Sequence, residues 1–313
     1  MGPLLCLLSA VCFGAMAIFG KLAYDSGVVL GDLLLFRFAI AAALLLVIAR
    51  ARGVLRGLPR RSVLAGLAMG GIGYATQSGL FFGALERMDA SLLALILYVY
   101  PVLVMIGAIV LGRERASVRR IAALVIASVG TALVLGGAAS GGLDPLGAAM
   151  GFGAAVAYTV YILAGDRIGV GMPPLALSAL VCTGAAFTYS LASTRHGGPQ
   201  LGFAAEGWLW LAAIAVVSTV AAILTFFAGL ARVGPSAASI LSTLEPVVTV
   251  VLAAAVVGES LGVVQAVGGA VVLSAVLVIQ WPTRSRSLGP RIRKRRLGRP
   301  RIAPEQTADH VLP

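Results

Sequence analysis

Residues 81–115 read FFGALERMDASLLALILYVYPVLVMIGAIVLGRER, and residues 226–260, which lie 145 positions later, read FFAGLARVGPSAASILSTLEPVVTVVLAAAVVGES. Nine positions are identical when the two stretches are aligned without a gap. A composition as biased as this one would give about three or four identities by chance. The chain therefore contains an internal repeat with an offset of 145 residues.

The composition places both copies of the repeat in a membrane. The chain has 313 residues, of which 59% are hydrophobic and only 12% are charged. Soluble domains are about 45–50% apolar and about 25% charged, and disordered chains combine low hydrophobicity with high charge. Both classes are excluded. Since a membrane-spanning helix takes about 20 apolar residues, the chain has room for roughly ten spans.

Runs of apolar residues predict an all-α polytopic membrane protein with ten transmembrane helices. The repeat offset assigns five spans to each half, so each half is one repeat. The predicted spans are 4–20, 33–49, 63–82, 90–111, 121–138, 147–164, 173–193, 207–227, 236–257 and 263–281.

An odd number of spans in each repeat places the two halves upside down relative to one another. The basic residues agree with this arrangement. With the N-terminus inside the cell, the interior loops and the tail hold twenty Lys and Arg residues, whereas the exterior loops hold only Lys21, Arg87 and Arg195. Because Lys and Arg concentrate in cytoplasmic loops, we expect both termini to be cytoplasmic. Inverted repeats are typical of secondary transporters.

These patterns divide the chain into three parts. Residues 1–138 form the first five-helix repeat, 145–281 form the second, inverted repeat, and 282–313 form a basic cytoplasmic tail that we expect to be disordered. The tail carries nine basic residues against two acidic ones. A basic segment beside a membrane span is typical of binding to anionic membrane lipids, so we predict that partner and no nucleic acid.

Glu245 is the foremost candidate for a functional residue. It lies near the middle of the predicted span 236–257, where an acidic side chain costs about 2.5–3.5 kcal/mol on insertion scales. Such a group needs either a cavity or a partner. It is suited to accepting a proton for coupled transport or to binding a substrate amine. The alternative is a structural carboxylate that is hydrogen-bonded between helices.

Arg37 is the second charged residue inside a predicted span. It is suited to holding an anionic group, such as a substrate carboxylate or Glu245 itself. The alternative is a side chain that extends to the nearby membrane interface. At the repeat offset, Arg37 corresponds to Cys182 and Glu245 to Tyr100, so each charge is present in one half only.

Pro101 and Pro246 occupy equivalent positions in the two repeats. A proline within a span removes one backbone donor and disturbs the hydrogen bond to the carbonyl four residues earlier, here Leu97 and Ser242. Helix breaks at matching positions of two repeats indicate a binding site near the middle of the bilayer. Neighbouring helices can also satisfy the freed groups, so routine packing is the alternative.

Polar side chains within the apolar runs complete the set of candidates. Each is suited either to lining a cavity or to hydrogen bonding between helices. They are Tyr74, Gln77, Tyr98, Tyr100, Tyr158, Ser242 and Thr243.

Several of these residues form motifs that resemble a known family, the EamA transporters of the drug/metabolite transporter superfamily. The motifs are Leu244-Glu245-Pro246-Val247 followed by Val257-Gly258-Glu259, Tyr100-Pro101-Val102 followed by Gly112-Arg113-Glu114, and Arg37-Phe38. Two EamA domains would cover the chain to about residue 281. The resemblance implies a ten-helix, inverted-repeat carrier, often an exporter of amino acids or other small metabolites in the inner membrane.

The residues argue against other classes of function. The chain has two histidines, His196 and His310, and no HExxH, GxSxG or P-loop motif, so we expect no enzyme, metal site or cofactor. A channel normally carries rings of polar residues. The two single charges and the inverted repeat of this chain fit a carrier better than a channel. The expected function is alternating-access export of a small-molecule substrate across the cytoplasmic membrane, with proton coupling as a hypothesis. A nucleotide-sugar or sugar-phosphate exchanger, or an importer, is the alternative, and the oligomeric state is left open.

Overall fold

Helices form the framework of the described part of the chain. A computed structural model describes residues 1–85, 87, 93, 96–136, 144–195, 197–252, 255–256 and 262–280. In chain order the helices are α1 (Gly2–Asp25), α2 (Leu30–Ala51), α3 (Arg60–Ala68), the π-helical segment π1 (Met69–Tyr74), α4 (Ala75–Leu85), α5 (Tyr100–Val110), α6 (Val118–Gly136), α7 (Pro145–Ile168), α8 (Pro174–Arg195), α9 (Ala205–Ala215), the π-helical segment π2 (Val216–Ala221), α10 (Ala222–Val233), α11 (Pro235–Ser242), α12 (Leu244–Leu252) and α13 (Val263–Gln280).

Six helices in the described residues have the length and the apolar composition to cross a membrane. They are α1, α2, α6, α7, α8 and the continuous 29-residue helix that α9, π2 and α10 form together. Large apolar side chains cover their outer surfaces, as at Val47, which is 66% exposed, and Phe187, which is 72% exposed. Such a surface is suited to lipid rather than water. The chain is a multi-pass membrane protein.

Two helix interruptions lie 145 residues apart. Tyr98 and Val99 form a turn before α5, and Thr243 forms a turn between α11 and α12. Pro101 and Pro246 lie in the first turns of the helices that follow. Proline is favoured there because the first backbone N–H groups of a helix have no partner within it. The predicted span 236–257 is thus not one helix, and the break precedes the proline.

The two π-helical segments also lie at nearly matching positions of the two halves. π1 joins α3 to α4, and π2 joins α9 to α10. Such segments are rare and are frequent at functional sites. The apolar runs predicted continuous spans at 63–82 and 207–227 and gave no sign of a change in helix type.

Three of the connections that the sequence assigns to the cytoplasm meet at one end of the helices. A Cβ atom added to Gly2, at the start of α1, would lie 2.8 Å from the Cβ of Arg232 at the end of α10. A Cβ atom added to Gly234, which has a φ of 81°, would lie 2.6 Å from Glu114 Oε1. Arg113 forms an ion pair of 3.5 Å with Asp166 at the end of α7. Three of the predicted interior loops therefore lie together.

The connections after α1 and α8, which the sequence assigns to the exterior, meet at the opposite end. The backbone N–H of Ala204 donates to the Ser26 carbonyl at 3.0 Å, and that of Gln200 donates to the Asp32 carboxylate at 3.0 Å.

Aromatic contacts reinforce this second end. Trp210 of α9 stacks against Phe19 of α1, with ring centroids 6.3 Å apart. Trp208 packs edge-on against Phe36 of α2 at 5.0 Å. The basic tail 282–313 lies outside the described residues.

Candidate functional site

A cavity of about 60 Å³ lies among the helices and is lined by side chains from both halves of the chain. Seven of the predicted site residues line it, namely Arg37, Tyr74, Gln77, Tyr98, Tyr100, Tyr158 and Glu245. The other lining side chains are Phe13, Met16, Ser78, Phe81, Phe82 and Leu97. We refer to it as the central cavity. A water molecule needs about 10–15 Å³, so this volume holds a few waters and must widen to hold a metabolite.

Arg37 is buried at the edge of the central cavity, with 1% of its surface exposed. Its Nε donates to Thr219 Oγ1 at 2.8 Å, and its Nη2 donates to the Tyr74 hydroxyl at 2.8 Å. The guanidinium carbon lies 4.8 Å from the ring centroid of Phe38, within the range of a cation–π contact. Because α2 begins at Leu30, Arg37 lies about two turns inside the helix. Its hydrogen bonds to Thr219 and Tyr74 point inward rather than toward the membrane interface.

Glu245 lies in the first turn of α12 and borders the same cavity. Its side chain interacts with Tyr98, which precedes α5. Glu245 stays partly exposed although it lies deep among the helices, because the cavity reaches it. A carboxylate in this position is accessible to a ligand or to a proton.

The two opposite charges share the cavity without forming an ion pair. Arg37 donates its hydrogen bonds to the neutral hydroxyl groups of Tyr74 and Thr219. Among the described residues, Arg37 and Glu245 form no ion pair with each other. The cavity therefore offers one anionic and one cationic group that are not neutralised by direct contact with each other.

A row of five tyrosines connects the surroundings of the two charges. In order, the row consists of Tyr98, Tyr100, Tyr158, Tyr161 and Tyr74, with successive ring centroids 5.8, 4.6, 6.1 and 5.0 Å apart. Tyr98, at one end of the row, interacts with Glu245, and Tyr74, at the other end, accepts a hydrogen bond from Arg37. Aromatic rings in this arrangement provide an apolar wall that also favours a nearby cation.

The hydroxyl of Tyr100 is a buried polar group without a hydrogen-bond partner among the described residues. Ser242 lies beside it, but the Ser242 hydroxyl donates to the Ala238 carbonyl at 3.0 Å. Since unpaired buried hydroxyls are uncommon and costly, this group in the cavity wall is a candidate to bind a ligand or a water.

Ser242 and Thr243 do not line the central cavity. They are 4% and 2% exposed, and the Thr243 hydroxyl donates to the Ile240 carbonyl at 2.6 Å. Short hydroxyl side chains commonly bond to a carbonyl one turn earlier in their own helix. Their place is in the turn between α11 and α12, directly before Glu245 and Pro246.

Thr219 is a site residue that sequence reasoning missed. It lies in π2, is fully buried, and its hydroxyl donates to the Ile214 carbonyl at 2.9 Å while accepting from Arg37. Its position is 145 residues after Tyr74, the other partner of Arg37. The repeat offset, applied to Tyr74, could have identified it.

A second cavity of about 320 Å³ lies between α7, α8 and α10, at the end where Arg113 pairs with Asp166. Phe227 lines this cavity and contacts Tyr161 at 5.8 Å. Tyr161 in turn contacts two side chains of the central cavity through the tyrosine row. Tyr161 and Phe227 therefore stand between the two cavities.

Both halves of the chain match the same protein family. The EamA-like transporter family matches residues 1–136 and, a second time, residues 145–281. The chain belongs to the EamA-like transporter family. It is accordingly a membrane transporter of the drug/metabolite transporter superfamily and not an enzyme.

Two curated relatives of this EamA-like transporter carry names of the same class. The uncharacterized transporter YcbK of Bacillus subtilis is 25% identical over 283 residues, which cover 85% of this chain and 88% of the relative. An uncharacterized transporter of Archaeoglobus fulgidus is 26% identical over 225 residues, covering 71% of this chain and 77% of the relative. Neither name gives a substrate.

The fold also has a counterpart among solved structures. One crystal structure superposes on this EamA-like transporter with a TM-score of 0.76 and covers 89% of this chain and 96% of its own. At 22% identity, the likeness concerns the fold alone.

Proposed function

We propose that this EamA-like transporter is a secondary carrier that exports small, amino-acid-like metabolites by alternating access. The observation that carries the proposal is the pair of unneutralised opposite charges, Arg37 and Glu245, on one cavity with an aromatic wall. A zwitterion matches this arrangement. Its ammonium group binds the Glu245 carboxylate, its carboxylate binds the Arg37 guanidinium, and its apolar part packs against the tyrosine row.

The proposed architecture is a ten-helix bundle of two inverted five-helix repeats, 1–138 and 145–281, in the cytoplasmic membrane. Three features support it. The helix turns before α5 and before α12 are 145 residues apart, π1 and π2 lie at similar positions, and loops of the same predicted side meet. Both termini are proposed to be cytoplasmic, with the basic tail bound to anionic lipid headgroups.

A nucleotide-sugar or sugar-phosphate exchanger is less well supported. A phosphorylated substrate carries at least two negative charges and would favour several cations in its site. Among the described side chains that line the central cavity, Arg37 is the one cation, and Glu245 would repel a phosphate. The direction of transport, export rather than import, is part of the proposal.

Proton coupling is the second part of the proposal, and it depends on Glu245. A carboxylate that faces a cavity inside a membrane protein is typical of proton relays. If the ammonium group of the substrate and a proton compete for this carboxylate, release of one follows binding of the other. Export is then driven by proton entry.

The test is a survey of the metabolites that accumulate in the medium of cells expressing the wild type, Glu245→Gln or an empty vector. We expect a small set of zwitterionic compounds to accumulate with the wild type only. The amide in Glu245→Gln keeps the shape of the side chain but can neither take up a proton nor neutralise an ammonium group. Export should fall at least about tenfold, which corresponds to the loss of one charged contact.

Glu206→Gln is the matched control, because Glu206 is exposed in the first turn of α9, away from the cavity. It should export like the wild type at equal membrane abundance. Equal export by Glu245→Gln and the wild type would remove Glu245 from the mechanism. Accumulation of phosphorylated compounds instead would contradict the proposed substrate class.

A further inference from the structure

The guanidinium group of Arg37 uses only part of its hydrogen-bonding capacity within the protein. It carries five N–H donors, and two of them bind Thr219 and Tyr74. Among the described residues, Arg37 forms its hydrogen bonds through Nε and Nη2 and not through Nη1. Its side chain lines the central cavity. One N–H of Nη2 and both of Nη1 remain for a ligand.

The two partners of Arg37 are themselves held in place. The Thr219 hydroxyl donates its proton to the Ile214 carbonyl at 2.9 Å, so a lone pair points to Arg37. The Tyr74 ring stacks on Tyr161 at 5.0 Å. Because Thr219 lies in π2 and Tyr74 ends π1, each half of the chain supplies one hydroxyl that orients the guanidinium.

The aromatic neighbours restrict the guanidinium further. Its carbon atom lies 4.8 Å from the centroid of Phe38 and 5.8 Å from that of Tyr74. Phe38 in turn stacks on Tyr189 with parallel rings 5.6 Å apart. A guanidinium with two fixed hydrogen bonds and two ring contacts has little freedom to turn, so the direction of its unpaired edge is set before a ligand arrives.

We propose that Thr219 and Tyr74 are positioning residues that present the unpaired Nη1–Nη2 edge of Arg37 to the carboxylate of a zwitterionic substrate. This inference rests on the proposed function and adds to it the residues that give the site its preference for a carboxylate. A carboxylate binds such an edge through two parallel hydrogen bonds, which requires a defined orientation. The competing explanation is that Arg37 only ties α2, π1 and π2 together.

The test compares variants at Thr219 in reconstituted proteoliposomes. The probes are the L-amino acid, among the twenty, that the wild type exchanges fastest, and the amine that forms from it by decarboxylation. Thr219→Val keeps the shape of the side chain and removes the hydroxyl, whereas Thr219→Ser keeps the hydroxyl. The readout is the ratio of the apparent affinities for the two probes, which does not depend on the fraction of active protein.

We expect Thr219→Val to weaken the affinity for the amino acid about tenfold, the scale of one hydrogen bond to a charged group, and to leave that for the amine unchanged. Thr219→Ser should keep the wild-type ratio, and Tyr74→Phe should resemble Thr219→Val. Thr225→Val is the control, because the Thr225 hydroxyl donates to the Ala221 carbonyl of its own helix at 2.7 Å.

Two results would overturn the inference. Thr219→Val could leave the ratio of the two affinities unchanged, for example by weakening both probes equally, as a purely structural role predicts. Alternatively, Thr219→Ser could lose the wild-type ratio as fully as Thr219→Val. If the wild type exchanged none of the twenty amino acids, the proposed substrate class would fall, and this inference with it. The two failures are therefore distinguishable.

Discussion

Tyr100 carries an unpaired hydroxyl in the wall of the central cavity, and this has opposite consequences for stability and for transport. Tyr100→Phe removes the hydroxyl without breaking a hydrogen bond to the described residues. Removing an unpaired buried hydroxyl relieves the penalty of keeping it from water. We expect unchanged or higher thermal stability in detergent, together with weaker apparent affinity for the exported compounds.

Tyr189→Phe is the matched control for this prediction. The Tyr189 hydroxyl donates to the Ala75 carbonyl at 3.1 Å, so its removal should lower the free energy of unfolding by about 1 kcal/mol. The two variants are compared by thermal melting, which is monitored by the fluorescence of a dye that does not react with thiols. A melting temperature that falls as far for Tyr100→Phe as for Tyr189→Phe would show that the Tyr100 hydroxyl is paired.

At the scale of single residues, sequence reasoning works best for charges. Arg37 and Glu245 stand out because a charge within an apolar run is costly anywhere along a span. Hydroxyl groups are harder to assign. Ser242 lies beside Tyr100, yet of these two side chains only Tyr100 lines the cavity. Which side chains face the cavity depends on how each helix is rotated about its axis, and the composition of a helix does not determine that rotation.

At the scale of helices, π1 depends on a close approach to α8. A Cβ atom on Gly70 would lie 1.9 Å from the carbonyl oxygen of Val181. Since that neighbour is backbone, it cannot turn aside, and α8 would have to move. We expect Gly70→Ala to lower the free energy of unfolding by about 1–3 kcal/mol or more, measured as a drop in the melting temperature.

Gly184→Ala tests the same contact from the other side, because its Cβ would lie 2.1 Å from the Leu67 carbonyl oxygen. Gly20→Ala is the control, since no atom lies within 4 Å of its Cβ position. It should be as stable as the wild type or more so, because alanine favours a helix over glycine. Equal effects at Gly70 and Gly20 would contradict the close packing of π1 on α8.

The sequence predicts the long helices well and their internal changes less well. The length of the apolar runs in the sequence directly identifies five helices, namely α1, α2, α6, α7 and α8. Pro101 and Pro246 indicate that helices are disturbed nearby, but not that the turns fall at Tyr98–Val99 and Thr243. The π segments carry no comparable signal. They depend on contacts with other helices, such as that between Gly70 and Val181, which only the packed structure creates.

At the scale of the whole molecule, the distribution of basic residues predicts the orientation in the membrane. Ala116→Cys introduces a thiol in an exposed loop at the proposed cytoplasmic end, and Leu201→Cys introduces one at the opposite end. A membrane-impermeant maleimide should label Leu201→Cys in intact cells and Ala116→Cys only after permeabilisation. Twenty basic residues on one side against three on the other make this the expected result.

The native thiols give little background in this experiment. Cys6 and Cys182 are 0% exposed, and Cys12 is 8% exposed, so the unmodified protein serves as the unlabelled control. The reverse labelling pattern would invert the proposed orientation.

The contacts of Trp208 and Trp210 give the protein an optical signal of its own. Both indoles lie on α9, and each packs against a phenyl ring of another helix, Phe36 of α2 or Phe19 of α1. Opening of this end separates α9 from those helices and replaces an aromatic neighbour with water or lipid. In the proposed alternating-access cycle this end of the helices opens once per turnover, so the emission of Trp208 and Trp210 should change at the turnover rate.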